Sequence, residues 1–174
     1  MQDDFFTGLE QHLGESVDYL REIKRCSEAA FEKFTQALPL AAHREVISKE
    51  AGFIAHFLAT AKEDCGTCAQ IAVNLARKDG VADDFIMAVA AGKADALNDE
   101  EKLVYAFVQA TVDNKPEQND LRDEVTARLG ASALVDLGLA MASARIFPTV
   151  KRAMGYAVSC GPVVVGEARA PVAA

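Results

Sequence analysis

What this 174-residue chain lacks narrows its reading first. Strand patterning is nearly absent. Apolar and polar residues do not alternate over any recurring stretch, and the one β-branched run, Val163-Val164-Val165, lies in a tail bearing Gly and Pro. Basic residues are in deficit, 18 against 26 acidic, for a formal net charge of -8. No basic stripe occurs, so a nucleic-acid partner is not expected, and an acidic surface also disfavours an anionic membrane. The acidic start, Met1-Gln2-Asp3-Asp4, has neither the basic residues nor the apolar run of a secretion signal. The longest apolar stretch, around Ala133 to Phe147, carries Asp136 and Arg145 and reads as too short and too polar to span a bilayer. The expectation is a cytoplasmic protein without a membrane partner. No internal repeat is present, and no glycine motif for a nicotinamide, flavin or phosphate group, so no cofactor is expected.

Helical signals fill the space that strands leave. Phe5, Leu9, Leu13, Val17, Leu20 and Ile23 recur at spacings of three and four, with Gly14 as a break. A second stretch runs through Ala30, Phe34 and Leu38 to a stop at Pro39. A third places Val46, Ile47, Ile54, Phe57, Leu58 and Ala61 on one face. Asp64 is expected to cap the next helix, which Gly80 closes. A short helix starts at Asp83 and ends near Gly92, and Asn98 with Glu101 forms a capping box for another. Beyond a loop at Asn114-Lys115-Pro116, a short helix over 120–129 precedes the apolar segment, which suits a bundle centre or an oligomer interface. Pro148 is expected to kink or end that segment. The division is an N-terminal helical extension over 1–42, a helical domain over 43–158 and a tail over 159–174 that is loose or lies across a neighbour.

The sharpest chemical feature is Cys65-Gly66-Thr67-Cys68 at a helix start. Two intervening residues let the sulfurs approach to disulfide distance, and the helix N-terminus favours thiolate, the nucleophilic form. Lys62 is close enough in sequence to add to this, while Glu63 and Asp64 oppose it or shuttle protons. Structural zinc would need a second clustered pair, yet Cys26 and Cys160 are isolated and His12, His43 and His56 lack ligand spacing. No metal is expected, and Cys26 and Cys160 read as buried packing residues. His12 and His43 stand among polar residues and are expected to face solvent.

Glu63-Asp64-Cys65-Gly66-Thr67-Cys68, then Asn74-Leu75-Ala76-Arg77-Lys78 and Gly80-Val81, resembles the signature region of the alkylhydroperoxidase D-like, carboxymuconolactone decarboxylase superfamily. Leu97-Asn98-Asp99-Glu100-Glu101 resembles the start of that family's next helix, and the segment from Leu137 to Met154 its closing helix, so the likeness covers roughly residues 45 to 158. It implies an all-α helical bundle that forms a homo-oligomer. It also implies reduction of organic hydroperoxides, with Cys68 attacking and Cys65 resolving, whereas helix-end electrostatics alone favour Cys65 as the more acidic thiol. The family's peroxidases carry a Glu twelve residues before the first cysteine and a His four after the second. Phe53 and Ala72 stand there instead. Substitutes are His56, one turn after Phe53 and the best candidate base, Glu50, one turn before it, and Glu63.

Three functions follow in order. The first is a thiol-dependent peroxidase or disulfide oxidoreductase, fed by a hydroperoxide and re-reduced by a small dithiol or a protein. The second is a helical oligomer that kept the cysteines but lost the relay, acting as a redox sensor or binding protein. The third is an enzyme of the decarboxylase branch, whose members do not depend on a CxxC. Arg145, Lys151 and Arg152 are read as surface salt-bridging residues, with a substrate carboxylate as the sharper possibility.

Overall fold

The computed structural model describes residues 2–173. The chain is predominantly α-helical. Four short helices lead: α1 (Gln2–Leu13), α2 (Asp18–Cys26), α3 (Glu28–Thr35) and α4 (Ala37–Ala41). The main layer follows as α5 (Lys49–Lys62), α6 (Gly66–Lys78), α7 (Asp83–Ala90), α8 (Asp99–Val112), α9 (Gln118–Leu129) and α10 (Ala131–Ala153). A hairpin of β1 (Val163–Val165) and β2 (Ala168–Ala170) ends the order.

Local sequence accounts for most element ends. Ser48 caps α5 by accepting from the Ala51 N–H. Asn98 and Glu101 form the reciprocal box at the start of α8. Pro39 sits inside α4 rather than stopping a helix before it, at an early position where no intrahelical N–H is needed. Asp64 does not cap α6. Its φ of +48° reverses the chain between α5 and α6, a conformation that Asp tolerates better than most residues, and Cys65 becomes the N-cap.

The core is a slab of α5, α6, α8 and α10, with α5 at its centre. Ile54, Ala55, Phe57 and Ala59 are wholly buried, because α5 is apolar on nearly every side. α10 packs chiefly on α5 and runs through Pro148 without ending. At 23 residues it exceeds the apolar stretch read from sequence, and by length and composition it is sufficient to cross a bilayer; here it is a core helix. Asp136 ties it to the loop before α5. One buried carboxylate oxygen accepts from the N–H groups of Glu45, Val46 and Ile47 at 2.9, 2.8 and 3.3 Å, and His43 lies 3.4 Å from the other. Burial pushes this carboxyl up, but the backbone donors and His43 outweigh it and hold it below its ordinary value.

The N-terminal helices form a satellite core of Phe6, Val17, Tyr19, Leu20 and Ile23, extended by Leu9, Leu13, Phe31 and Phe34, against Val150 and Met154 of α10. Asn74 of α6 donates to the Leu13 carbonyl at 2.9 Å. Gly14 permits this approach: its φ is +73°, and a Cβ there would lie 2.6 Å from the Asn74 amide nitrogen. The tail is not loose. β1 pairs antiparallel with β2, and Val163, Val165 and Ala170 are buried against α6 and α7, since alternation of the β-branched run turns one face inward. Cys26 is exposed rather than packed: it continues the stripe of Tyr19 and Ile23 but is the last residue of α2, where its sulfur lies beside Glu22 and Arg25.

Replacing Asp136 with Ala orphans three backbone donors and is expected to cost on the order of 3 kcal/mol in urea unfolding. The wild-type carboxylate titrates lower in the folded than in the unfolded chain. Its contribution is therefore full above the ordinary carboxylate value and lost as pH falls through the lower folded one, so the two proteins should converge in acid.

Candidate functional site

α6 begins at the cysteine pair, and its first turn brings the sulfurs together at 2.6 Å. The two thiols differ in access and in acidity. Cys65 is wholly buried, whereas Cys68, 8% exposed, opens on a cavity of about 470 Å³. The Cys68 thiol, directed at the Cys65 sulfur, pulls Cys65 down to about 6; burial opposes this, and the Thr67 hydroxyl, the Cys68 N–H and the Lys151 ammonium assist it. Cys68 moves the opposite way, upward, because it holds the proton the pair shares.

Lys151 is the group that sequence reading placed outside. It is 3% exposed, donates to Thr67 Oγ1 at 2.7 Å, lies 3.8 Å from Cys68 Sγ and stands 5.0 Å from the centre of the Tyr19 ring. No carboxylate pairs with it among the described residues, and Glu15 acts on it only from a distance. A buried ammonium without a counter-charge costs several kcal/mol, so the thiolate of the pair is its natural partner. Its signal was periodicity: Ala140, Ala144, Phe147, Pro148 and Lys151 are one inward stripe of α10, and all line the cavity. Lys62, the cation nearest in sequence, instead pairs with Asp113 at 2.7 Å.

The candidate bases divide. His56 lines the cavity with Phe53, Thr60 and Ala72. It is largely buried on that cavity, and burial drops the imidazole to about 4. It is thus neutral at neutral pH and a weak base, which counts against its expected role as the substitute base. It makes no hydrogen bond among the described residues. Glu50 is not in the wall, because six residues on an α-helix turn it about 240° from His56. Glu63 is also absent from the wall. It accepts from Arg145 Nε at 2.7 Å and Arg152 Nη1 at 3.3 Å, so those two arginines do make surface pairs. His12 and His43 both contribute to the rim of the cavity.

Thr60 escaped the sequence reading. Thr60 is 1% exposed, and its hydroxyl has no partner among the described residues. It lies one turn beyond His56 on the same face of α5, so two unpartnered polar groups look into a mostly apolar space. Leu9, Leu13, Tyr19 and Leu38 from the N-terminal helices complete that space. Among the described residues, no three His, Cys, Asp or Glu side chains cluster as metal ligands. Comparison of the chain with protein-family models, curated proteins and solved structures gave no match.

The reduced protein is expected to show one thiolate titrating at about 6 by ultraviolet absorbance, with Cys68→Ala and Lys151→Met each shifting it upward. Because the folded thiol ionises more readily than the unfolded one, its stabilising effect is complete above about 8.5 and fades as pH falls through the folded value.

Proposed function

We propose that the chain is a thiol-dependent peroxidase of the alkylhydroperoxidase D-like type, acting on bulky apolar hydroperoxides. The observation that carries this reading is a close thiol pair, one member of which opens beside a buried ammonium on an apolar cavity.

Acidity belongs to Cys65 and access to Cys68, so the reaction starts with a proton shift across the 2.6 Å between them. Cys68 becomes thiolate beside the Lys151 ammonium, and Cys65 becomes thiol. The Cys68 sulfur attacks the terminal oxygen of the hydroperoxide, the O–O bond breaks, and the alkoxide leaves as alcohol with a proton from Lys151. Cys65 returns that proton to Lys151 through the Thr67 hydroxyl, 3.6 Å from Cys65 Sγ and 2.7 Å from Lys151 Nζ. The Cys65 thiolate then attacks the sulfenic sulfur of Cys68, forming the disulfide and expelling hydroxide, which a solvent proton converts to water. An external dithiol restores both thiols and itself becomes a disulfide. Lys151 and Thr67 thereby carry the proton traffic that positions 53 and 72 cannot.

Substrate class follows from the walls. Leu9, Leu13, Leu38, Ile71 and Phe147 suit an alkyl or aryl body, and Thr60 and His56 offer hydrogen bonds to its oxygens. A buried hydroxyl without a partner costs about 1–3 kcal/mol, which a bound oxygen relieves.

Turnover of cumene hydroperoxide with a dithiol reductant tests the reading. Its kcat/KM should exceed that of hydrogen peroxide by about tenfold or more, the scale on which apolar pockets discriminate. Cys68→Ser should abolish turnover, and Lys151→Met should lower kcat by about a hundredfold. Thr60→Val should raise KM more than it lowers kcat. Equal activity of Lys151→Met and wild type would sink the mechanism.

A further inference from the structure

Cys160 is not used by the chemistry above, yet the fold holds it against the pair. Both chain neighbours of Cys65 grip the segment that carries it. Asp64 Oδ1 accepts from the Cys160 N–H at 2.7 Å, and the Gly66 N–H donates to the Val158 carbonyl at 2.9 Å. A Cβ on Gly66 would stand 2.8 Å from the Ser159 carbonyl oxygen and 3.5 Å from Cys160 Cα, so glycine is what lets the tail come this near. The β1–β2 hairpin anchors the segment from its other side. The three thiols therefore form one cluster graded in access: Cys65 wholly buried, Cys68 facing the cavity and Cys160 half-exposed.

We propose that Cys160 is an exchange thiol that carries the disulfide from the buried pair to the surface, where a protein dithiol reaches it. The role rests on the redox reading of the pair. Once Cys65 and Cys68 are joined, Cys160 gives its proton to the Asp64 carboxylate and its sulfur attacks Cys65. The Cys65–Cys68 bond breaks, a Cys65–Cys160 bond forms, and Cys68 leaves as thiolate beside the Lys151 ammonium. No net oxidation occurs in this step. An external dithiol then attacks the Cys160 sulfur and closes its own disulfide. Cys65 leaves as thiolate, Cys160, freed in turn, recovers its proton from Asp64, and of the two protons the dithiol releases one returns to Cys68 and the other goes to solvent.

The electrostatics time the event. Burial, the Asp64 carboxylate and the Cys65 thiolate push the Cys160 thiol up to about 11, so it stays protonated while the pair is reduced. Oxidation of the pair removes the Cys65 charge, and with it one of the three causes. The neighbouring carboxylate is then placed to receive the proton.

Two measurements test this. In Cys68→Ser, diamide oxidation followed by non-reducing peptide mapping should find an intrachain Cys65–Cys160 disulfide, absent when Cys160→Ser is added. In otherwise wild-type protein with its pair pre-oxidised, Cys160→Ser should slow re-reduction by a thioredoxin-type protein about tenfold, while dithiothreitol reduces both at similar rates. Failure to map the Cys65–Cys160 bond, or equal rates with the protein dithiol, would overturn the proposal. Diamide replaces peroxide in the mapping, so loss of hydroperoxide turnover and loss of this bond are separate results.

Discussion

A buried ammonium set against a pair of thiols organises this molecule. Lys151 reaches the cysteines only because α10 continues past Pro148, and it is tolerated there only because Thr67, the Tyr19 ring and the thiolate share its charge. The charge and its partners come from three parts of the chain: Lys151 from the closing helix, Thr67 and the thiolate from the CxxC turn, and Tyr19 from the N-terminal arm. A buried charge without a carboxylate partner carries a cost of several kcal/mol, which these contacts offset.

That arrangement accounts for Phe53 and Ala72. Both line the cavity, and both are apolar. Under the proposed mechanism the proton work falls to α10 and Thr67, which leaves the facing wall of α5 apolar. His56 and Thr60 remain as its polar points. The neutral imidazole suits a hydrogen-bonding role there better than the role of a base.

The segments outside the main slab shape the site as well. The arm builds its own small core and then supplies one side of the cavity, held to α6 through Asn74 and the close approach at Gly14. The tail folds back as a hairpin and lays Cys160 beside the Cys65 turn. Asp64 joins the two ends of this geometry, since its left-handed backbone reverses the chain before α6 and directs its carboxylate at the tail.

Local rules made the helices readable. Apolar spacing, the Asn98 cap and the breaks at Gly14 and Gly80 act within a few residues, so the chain declares them without knowing its fold. The same holds for the thiol pair, whose spacing and helix-start position are local facts. The cap at Asp64, the looseness of the tail and the burial of Cys26 were misread, because each depends on what packs from elsewhere. Lys151 and Arg152 adjoin in sequence, yet one is buried beside Cys68 and the other lies at the surface on Glu63. About 100° of helical rotation separates them, and only the direction from which α5 and α6 approach decides which faces inward. Thr60 and Cys160 follow the same logic. Residue types and spacing picked out the thiol pair, but long-range packing chose its charged partner, the cavity wall and the third thiol.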